Sequence, residues 1–269
     1  MVKEKIESLK FKLIKLNIKM STNEFSFNIN NRNLSLIKEN FINLKEEESA
    51  PINPNEYKIS IEETRPIIIS WLSFLCSKLN FSEQSLFRCV SIFDGYISKI
   101  PKEQASFLDK DHLSLIAIAS LSLATKLEEI NCNYVNFLNE KVLNSPNSKI
   151  YTNKDLTKME LQILKTLKYK TIFSTPLDFI EVYTEIFRNV LGTNGSEVNP
   201  QILFQIKNYA INLVKNNINN TMYITNTTSQ MAYLCFIQAL NQANLINLIN
   251  MKQFEKNFFS FNYQFSNVF

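Results

Sequence analysis

The chain has 269 residues, of which 45% are apolar, and its 29 basic and 25 acidic residues give a net charge of +4. This length and apolar content suffice for one large core or two modest ones, and the well-mixed charges give little support to a nucleic-acid-binding surface. Only three glycines and seven prolines occur, so turn-rich β architectures are disfavoured and we expect helices joined by polar loops.

The cysteines are scattered and form no C-x-x-C pair: Cys76, Cys89, Cys132 and Cys235. Three of them stand in apolar helical surroundings. We interpret the four as buried thiols of a reducing compartment, and not as disulfides or a zinc site. No signal peptide, lipidation motif or membrane-spanning stretch is recognisable, which predicts a nuclear or cytoplasmic protein without membrane contact.

The first 63 residues are predicted to precede the main fold. Residues 1–30 form an arm with a short basic amphipathic helix, which is more often packed on its own domain or on a partner than on a membrane surface. A helical pattern follows over residues 34–48. Prolines and asparagines at residues 51–55 then predict a linker, so that residues 31–63 comprise a helix and a linker.

Five apolar segments of helical period follow, over residues 64–78, 82–100, 111–130, 134–143 and 152–167. Ser82 and Asp111 are predicted N-caps, and Thr152 with Asp155 predicts a capping box. The segment over residues 111–130 is apolar on all sides, which is typical of a core helix. Charged residues follow at the end of this segment, and Lys126 is the first of them.

A second series begins with the helix-start residues Thr175, Pro176 and Asp178. Helices are predicted over residues 175–190, 200–216, 228–244 and 247–261, with Asn199 capping the second. Residues 114–124 align with residues 229–239, Ser on Ser and Ala on Ala, which indicates an internal repeat. We therefore predict an all-α fold of two tandem bundles, the first at residues 64–172 with five helices and a shorter second at residues 173–269.

The sequence lacks the residues of a catalytic centre. His112 is the only histidine, and a lone imidazole beside a helix cap is more often a surface residue than a general base. No glycine-rich phosphate loop, nucleophile elbow, zinc-protease motif or calcium loop is present. We expect a binding protein with no catalytic residue, no metal and no cofactor.

Five motifs carry a family resemblance: RPIIISWL at residues 65–72, FDGYI at 93–97, LATKLEE at 123–129, MELQILKTL at 159–167 and TPLDFI at 175–180. Together they resemble the cyclin box and the opening of the second cyclin fold, and the stretch over residues 167–180 is most similar to the D-type, or G1-like, cyclins. The resemblance covers roughly residues 34–244. It implies two tandem cyclin-box bundles and a regulatory subunit that activates a cyclin-dependent protein kinase.

The resemblance also implies a set of kinase-binding residues: Lys126, Glu129, Glu160, Tyr169, Thr171 and Ile172. Lys126 and Glu160 match the cyclin residues that contact the regulatory helix and activation segment of the kinase; the alternative is that both are solvated helix-end charges. Thr171 stands where leucine is usual and Ile172 where alanine is common, which indicates an altered kinase surface.

Two further features are implied by the resemblance. Arg65 and Asp94 would form a partly buried structural pair that joins the first two helices, the alternative being two unrelated surface charges. A groove for short Arg-x-Leu motifs of substrates or inhibitors would comprise Thr64, Ile67, Ile68 and Trp71. Thr64 replaces the usual methionine there, and Ser70 replaces the usual aspartate.

Two other functions stay open. One is a cyclin fold that acts as a scaffold subunit without activating a kinase, which the substitutions at Thr171 and Ile172 and the shorter second bundle favour somewhat. The other is a transcription-factor type of cyclin fold that binds DNA. The mixed charge and the lack of a zinc ribbon argue against nucleic acid as a partner.

Overall fold

The computed structural model describes residues 31–60, 62–101, 108–130, 151–192 and 199–243. Within these ranges the regular structure is entirely helical, so the all-α prediction is confirmed. The helices are α1 (Asn31–Glu47), a 3-10 turn (Pro54–Glu56), α2 (Thr64–Lys78), α3 (Glu83–Lys99), α4 (Lys110–Glu128), α5 (Asn153–Thr166), α6 (Pro176–Gly192), α7 (Pro200–Asn217), α8 (Thr221–Thr225) and α9 (Thr228–Gln242). The predicted arm at residues 1–30, the helices at 134–143 and 247–261, and Cys132 lie outside the described residues.

The described residues form two compact units. The first unit comprises residues 45–177 and 215–231, and the second unit comprises residues 31–44, 178–214 and 232–243. The predicted domain boundaries, at residues 64–172 and 173–269, stay a prediction.

Helix α4 is the core helix of the first unit. It packs against α3 and α5 and also touches α2, and every residue from Leu115 to Thr125 is buried. A helix that is apolar on all sides lowers its free energy only when other helices cover every face, and this is the arrangement observed. The prediction of a central core helix is confirmed, although α4 ends at Glu128, two residues before the predicted end, with Glu129 as its C-cap.

Helix caps fix the starts of two other helices in this unit, α3 and α5. The Ser82 hydroxyl accepts the backbone N–H of Ser85 at the start of α3, and Thr152 and Asp155 form a reciprocal capping box at the start of α5. Both caps were predicted from the sequence and are confirmed. Each satisfies backbone N–H groups that the first turn of a helix leaves without an internal partner.

The prediction that Asp111 caps α4 is wrong. Asp109 is the N-cap, with extended backbone angles, and its Oδ1 accepts the N–H of His112 at 2.7 Å. Asp111 lies inside the first turn, where its charge can still favour the positive end of the helix dipole. The sequence alone does not show which of these two aspartates is the N-cap, because the N-cap is the one whose backbone φ and ψ angles are extended.

Removing this cap gives a direct check of the correction. Asp109→Ala is expected to lower the free energy of unfolding by about 1 kcal/mol, because the N–H of His112 loses its acceptor. Asp109→Asn keeps an acceptor oxygen and serves as the matched control, with little change expected. Urea unfolding measures both variants. A larger loss for Asp111→Ala than for Asp109→Ala would restore Asp111 as the cap.

An aromatic cluster fills the second unit. The ring of Tyr183 in α6 lies 5.9 Å from the ring of Tyr233 and 5.9 Å from that of Phe236, both in α9. Phe41 of α1 packs edge-on against Phe179 at 5.8 Å. Such ring pairs add stability beyond the apolar area that they bury. The predicted helix starts are also found, with Pro176 as the first residue of α6.

The three described cysteines, Cys76, Cys89 and Cys235, are free and buried, as predicted. Burial raises the pKa of the Cys76 thiol to about 12 and that of the Cys235 thiol to about 11. A thiol with so high a pKa is a poor nucleophile at neutral pH, because the thiolate is the reactive form. In the described ranges, no helix has both the length and the apolar content needed to cross a bilayer.

Candidate functional site

Lys126 and Glu160 lie together in the first unit. Lys126 stands in the last turn of α4 and Glu160 in α5, and the Lys126 Nζ lies 2.6 and 2.8 Å from the two carboxylate oxygens of Glu160. The Lys126 side chain is 40% exposed and that of Glu160 is 11% exposed. Two N–H groups of the ammonium are directed at Glu160, so the third can donate to an acceptor on a partner.

Glu129 is engaged inside the fold. Its Oε1 accepts the Ser82 N–H at 2.7 Å and the Ser85 hydroxyl at 2.6 Å. Burial alone would raise the pKa of Glu129, but these hydrogen bonds outweigh it and hold the pKa below its usual value. The carboxylate therefore ties the end of α4 to the start of α3, and would have to exchange these partners to bind a kinase.

The segment after α5 presents two large apolar side chains to solvent. Tyr169 is 65% exposed and Ile172 is 55% exposed, whereas Thr171 between them is buried. Lys168 and Tyr169 adopt left-handed backbone conformations, with φ of 53° and 61°, which disfavour L-residues by about 1–2 kcal/mol each. We define the candidate surface as Lys126, Glu160, Tyr169 and Ile172; of the predicted set, Glu129 and Thr171 are used inside the fold.

The sequence analysis missed exposed apolar residues that flank this pair in the chain. Leu127 and Ile130 follow Lys126, Leu161 follows Glu160, and all three are exposed. Singly exposed aliphatic residues are ordinary, so these three are only candidates for apolar contacts around the charged pair. The sequence gives no distinct signal for them, because adjacent residues of a helix point in different directions.

The sequence analysis also missed Arg88, which lies in α3. Its Nε and Nη2 each lie 2.6 Å from the Glu128 Oε1, and its Nη1 donates to the Phe173 carbonyl oxygen. Arg88 stands within the apolar run from Leu86 to Val90, so its guanidinium is largely buried. A charged residue inside an apolar helical run was the available signal, because such a group is kept there only with partners.

Arg65 and Asp94 form a buried ion pair between α2 and α3. The Arg65 Nη2 lies 2.8 Å from Asp94 Oδ2, its Nε donates to Oδ1 at 3.0 Å and its Nη1 donates to the Ile218 carbonyl at 2.7 Å. The Tyr57 hydroxyl donates to the same carboxylate. Burial alone would lower the pKa of Arg65, but the charge and hydrogen bonds of Asp94 outweigh it and raise the pKa. This pair is internal, so it stabilises the unit and is not a contact surface.

The described residues of this site do not form a metal-binding group. Among the described residues, no group of three or more histidine, cysteine, aspartate or glutamate side chains could hold a metal ion. The arrangement instead offers a charged anchor and exposed apolar side chains, which is the chemistry of a protein-binding surface.

Comparison with known proteins identifies the family. The family described as "Cyclin, N-terminal domain" matches residues 36–172, which is just over half of the chain. The chain belongs to the cyclin family. It is a divergent member, because its similarity to curated cyclins is low.

Curated relatives match about half of this cyclin. Cyclin-SDS of Arabidopsis thaliana is 28% identical over 151 residues, which are 56% of this chain and 23% of that protein. G2/mitotic-specific cyclin-B2 of Bos taurus is 30% identical over 116 residues, or 43% of this chain and 26% of that protein. The matches thus span about a quarter of the length of each relative. The resemblance to D-type cyclins stays a prediction.

A solved structure supports the fold of this cyclin. The X-ray structure of a viral cyclin from herpesvirus saimiri superposes with a TM-score of 0.54 at 16% sequence identity, covering 84% of this chain and 87% of the viral one. At this identity the similarity shows the fold alone. The predicted cyclin-box architecture is confirmed.

The face implied for substrate docking lies on α2 of this cyclin. Ile67 is exposed, Thr64 and Trp71 are half-buried, and Ile68 is buried. Phe74, which the sequence analysis did not include, is exposed one helical turn beyond Trp71 on the same side of the helix. The docking groove stays a prediction, and the large side chains exposed on this face of α2 are apolar.

Proposed function

We propose that this cyclin is the regulatory subunit of a cyclin-dependent protein kinase, which it binds and activates through the candidate surface. The observation that carries the proposal is the Lys126–Glu160 pair, with both Nζ–O distances below 3 Å. Each of its residues matches a cyclin motif, and Lys126 stands in the last turn of the buried core helix α4. A charged anchor held in place before binding loses little conformational entropy when a partner docks.

Protein kinases of this class need two rearrangements before they are active. A regulatory helix must rotate inward so that its glutamate meets an active-site lysine, and the activation segment must leave the substrate site. A protein that binds only the active arrangement shifts its population. Moving that equilibrium from 1:99 to 99:1 requires about 5.5 kcal/mol of differential binding free energy. A few interfacial charges and apolar contacts are enough to supply this amount.

A second function is favoured by one observation. Glu129 accepts hydrogen bonds from Ser82 and Ser85, and Thr171 is buried, so two of the six predicted kinase contacts are used inside the fold. A reduced contact set is compatible with a scaffold subunit that binds a kinase or another partner without activating it.

Affinity purification of the tagged 269-residue chain from its own cells, followed by partner identification, tests the proposal. We expect a protein kinase to co-purify, and we expect its activity on a protein substrate to rise when purified cyclin is added. Binding without a rise in activity would support the scaffold function. Recovery of no kinase from cross-linked cells would contradict both kinase-binding functions.

A further inference from the structure

Arg88 is a buried cation that contacts the two segments next to Lys126 and Ile172. It is 8% exposed, and its neighbours in α3 at positions 86, 87, 89 and 90 are buried apolar residues. Removing a guanidinium from water is strongly unfavourable unless charged and hydrogen-bonding partners replace the water. The contacts of Arg88 therefore indicate its structural role.

The partners of Arg88 lie at the two segments that carry the candidate surface. Glu128 is the last residue of α4, two positions after Lys126, and it accepts from both Nε and Nη2. Phe173 follows Ile172 directly, and its carbonyl accepts from Nη1. A planar guanidinium holds its acceptors at fixed angles, so this side chain links the two segments in a defined geometry.

The segment at residues 170–175 depends on contacts with other segments to keep its conformation. It has no regular secondary structure, and it follows the two left-handed residues Lys168 and Tyr169. Without a repeating hydrogen-bond ladder, a segment of this kind opens more readily than a helix. The bond from Arg88 to Phe173 ties it to α3, and the bonds to Glu128 tie α3 to the end of α4.

We propose that Arg88 is a positioning residue of the candidate surface: it holds the end of α4 and residues 169–173 in one arrangement, so that Lys126, Tyr169 and Ile172 meet the kinase together. This inference rests on the proposed function. Arg88 itself is buried and does not contact the partner. Its effect on binding follows from the fraction of molecules whose surface is already assembled, because the apparent Kd rises as that fraction falls.

The test compares Arg88→Met with Arg188→Met. Arg188 forms an exposed pair with Glu185 in the second unit, so its variant controls for loss of an arginine ion pair. With the kinase obtained by affinity purification, Arg88→Met is expected to raise the Kd by about tenfold or more, chiefly through slower association. Arg188→Met is expected to leave the Kd unchanged. Both are measured well below the unfolding temperature, so that global stability does not enter.

Hydrogen exchange followed by mass spectrometry provides a second readout. In Arg88→Met, the amides of residues 128–130 and 169–173 are expected to exchange about tenfold faster, whereas those of residues 115–124 in the core of α4 keep their protection. A merely structural loss would speed exchange throughout the first unit. If Arg88→Met fails to fold, Glu128→Gln carries the test, with about a threefold rise in Kd and the same local pattern of exchange.

A double-mutant cycle separates positioning from direct contact. If Glu128 acts through Arg88, the Kd of the double variant is expected to equal that of Arg88→Met alone. A Kd within twofold of the unaltered cyclin, together with unchanged exchange in both segments, would overturn this role while leaving the proposed function intact. If the unaltered cyclin binds no kinase, the proposed function falls, and the role of Arg88 in binding falls with it.

Discussion

Replacing Lys126 by alanine is expected to raise the Kd of the kinase complex by about 30- to 4,000-fold, which corresponds to about 2–5 kcal/mol. The same change is expected to lower the free energy of unfolding by a smaller amount, about 1–2 kcal/mol, because Lys126 is 40% exposed but the largely buried Glu160 carboxylate loses its cation. Calorimetric binding and urea unfolding measure the two quantities. The contrast between them identifies an interfacial charge and distinguishes it from a structural one.

The Lys207–Glu181 pair of the second unit provides the matched control. Its lysine side chain is 32% exposed, close to the 40% of Lys126, and Lys207 lies outside the five predicted cyclin motifs. Lys207→Ala is expected to leave the kinase Kd unchanged. If Lys126 and Glu160 act as one unit, the double alanine variant should lose little more affinity than the single variant. Equal effects of Lys126→Ala and Lys207→Ala on Kd would contradict the proposed interface.

Replacing Arg65 by alanine is expected to lower the free energy of unfolding by about 3–5 kcal/mol. The Asp94 carboxylate would stay buried without its cation, and the Ile218 carbonyl would lose its donor. Asp94 would keep only the hydrogen bond from Tyr57 among the contacts described for it here. Urea unfolding at an unchanged m-value measures the loss as a shift of the midpoint.

Arg188→Ala is the control for this prediction. Arg188 pairs with Glu185 on the surface at 2.9 Å, so its removal is expected to change the free energy of unfolding by no more than about 1 kcal/mol. Replacing both Arg65 and Asp94 by apolar residues of similar size should recover part of the loss, because no buried charge then remains. A loss below 1 kcal/mol for Arg65→Ala would show that solvent enters the pair.

Much of the fold follows from local chemistry in the sequence. The scarcity of glycine and proline predicts helices, the apolar residues around α4 predict its central place, and Thr152 with Asp155 predicts the start of α5. These signals are local, because a cap or a helical period involves residues within one or two turns. Lys126 and Glu160 could be named through the family resemblance, and their pairing required the packing of α4 on α5.

Other parts of the site depend on contacts between distant segments. Glu129 stands beside Lys126 in the sequence, yet its carboxylate turns to Ser82, 47 positions away. In the sequence, Arg88 is a charged residue within an apolar helix and has no evident partner. In the structure, Glu128 and the Phe173 carbonyl lie beside it. No periodicity encodes such partners, because side-chain direction and the approach of a backbone carbonyl are set only when the helices have packed.

The two left-handed residues after α5 have a consequence for recognition. Glycine would adopt these angles without strain, but the chain has three glycines in all and none at Lys168 or Tyr169. A glycine turn samples many shapes, whereas L-residues forced into this region have few alternatives once the surrounding structure holds them. A kinase that docks on Tyr169 would therefore meet a backbone held in one conformation at this residue, and a partner that needs another backbone conformation there would bind less tightly.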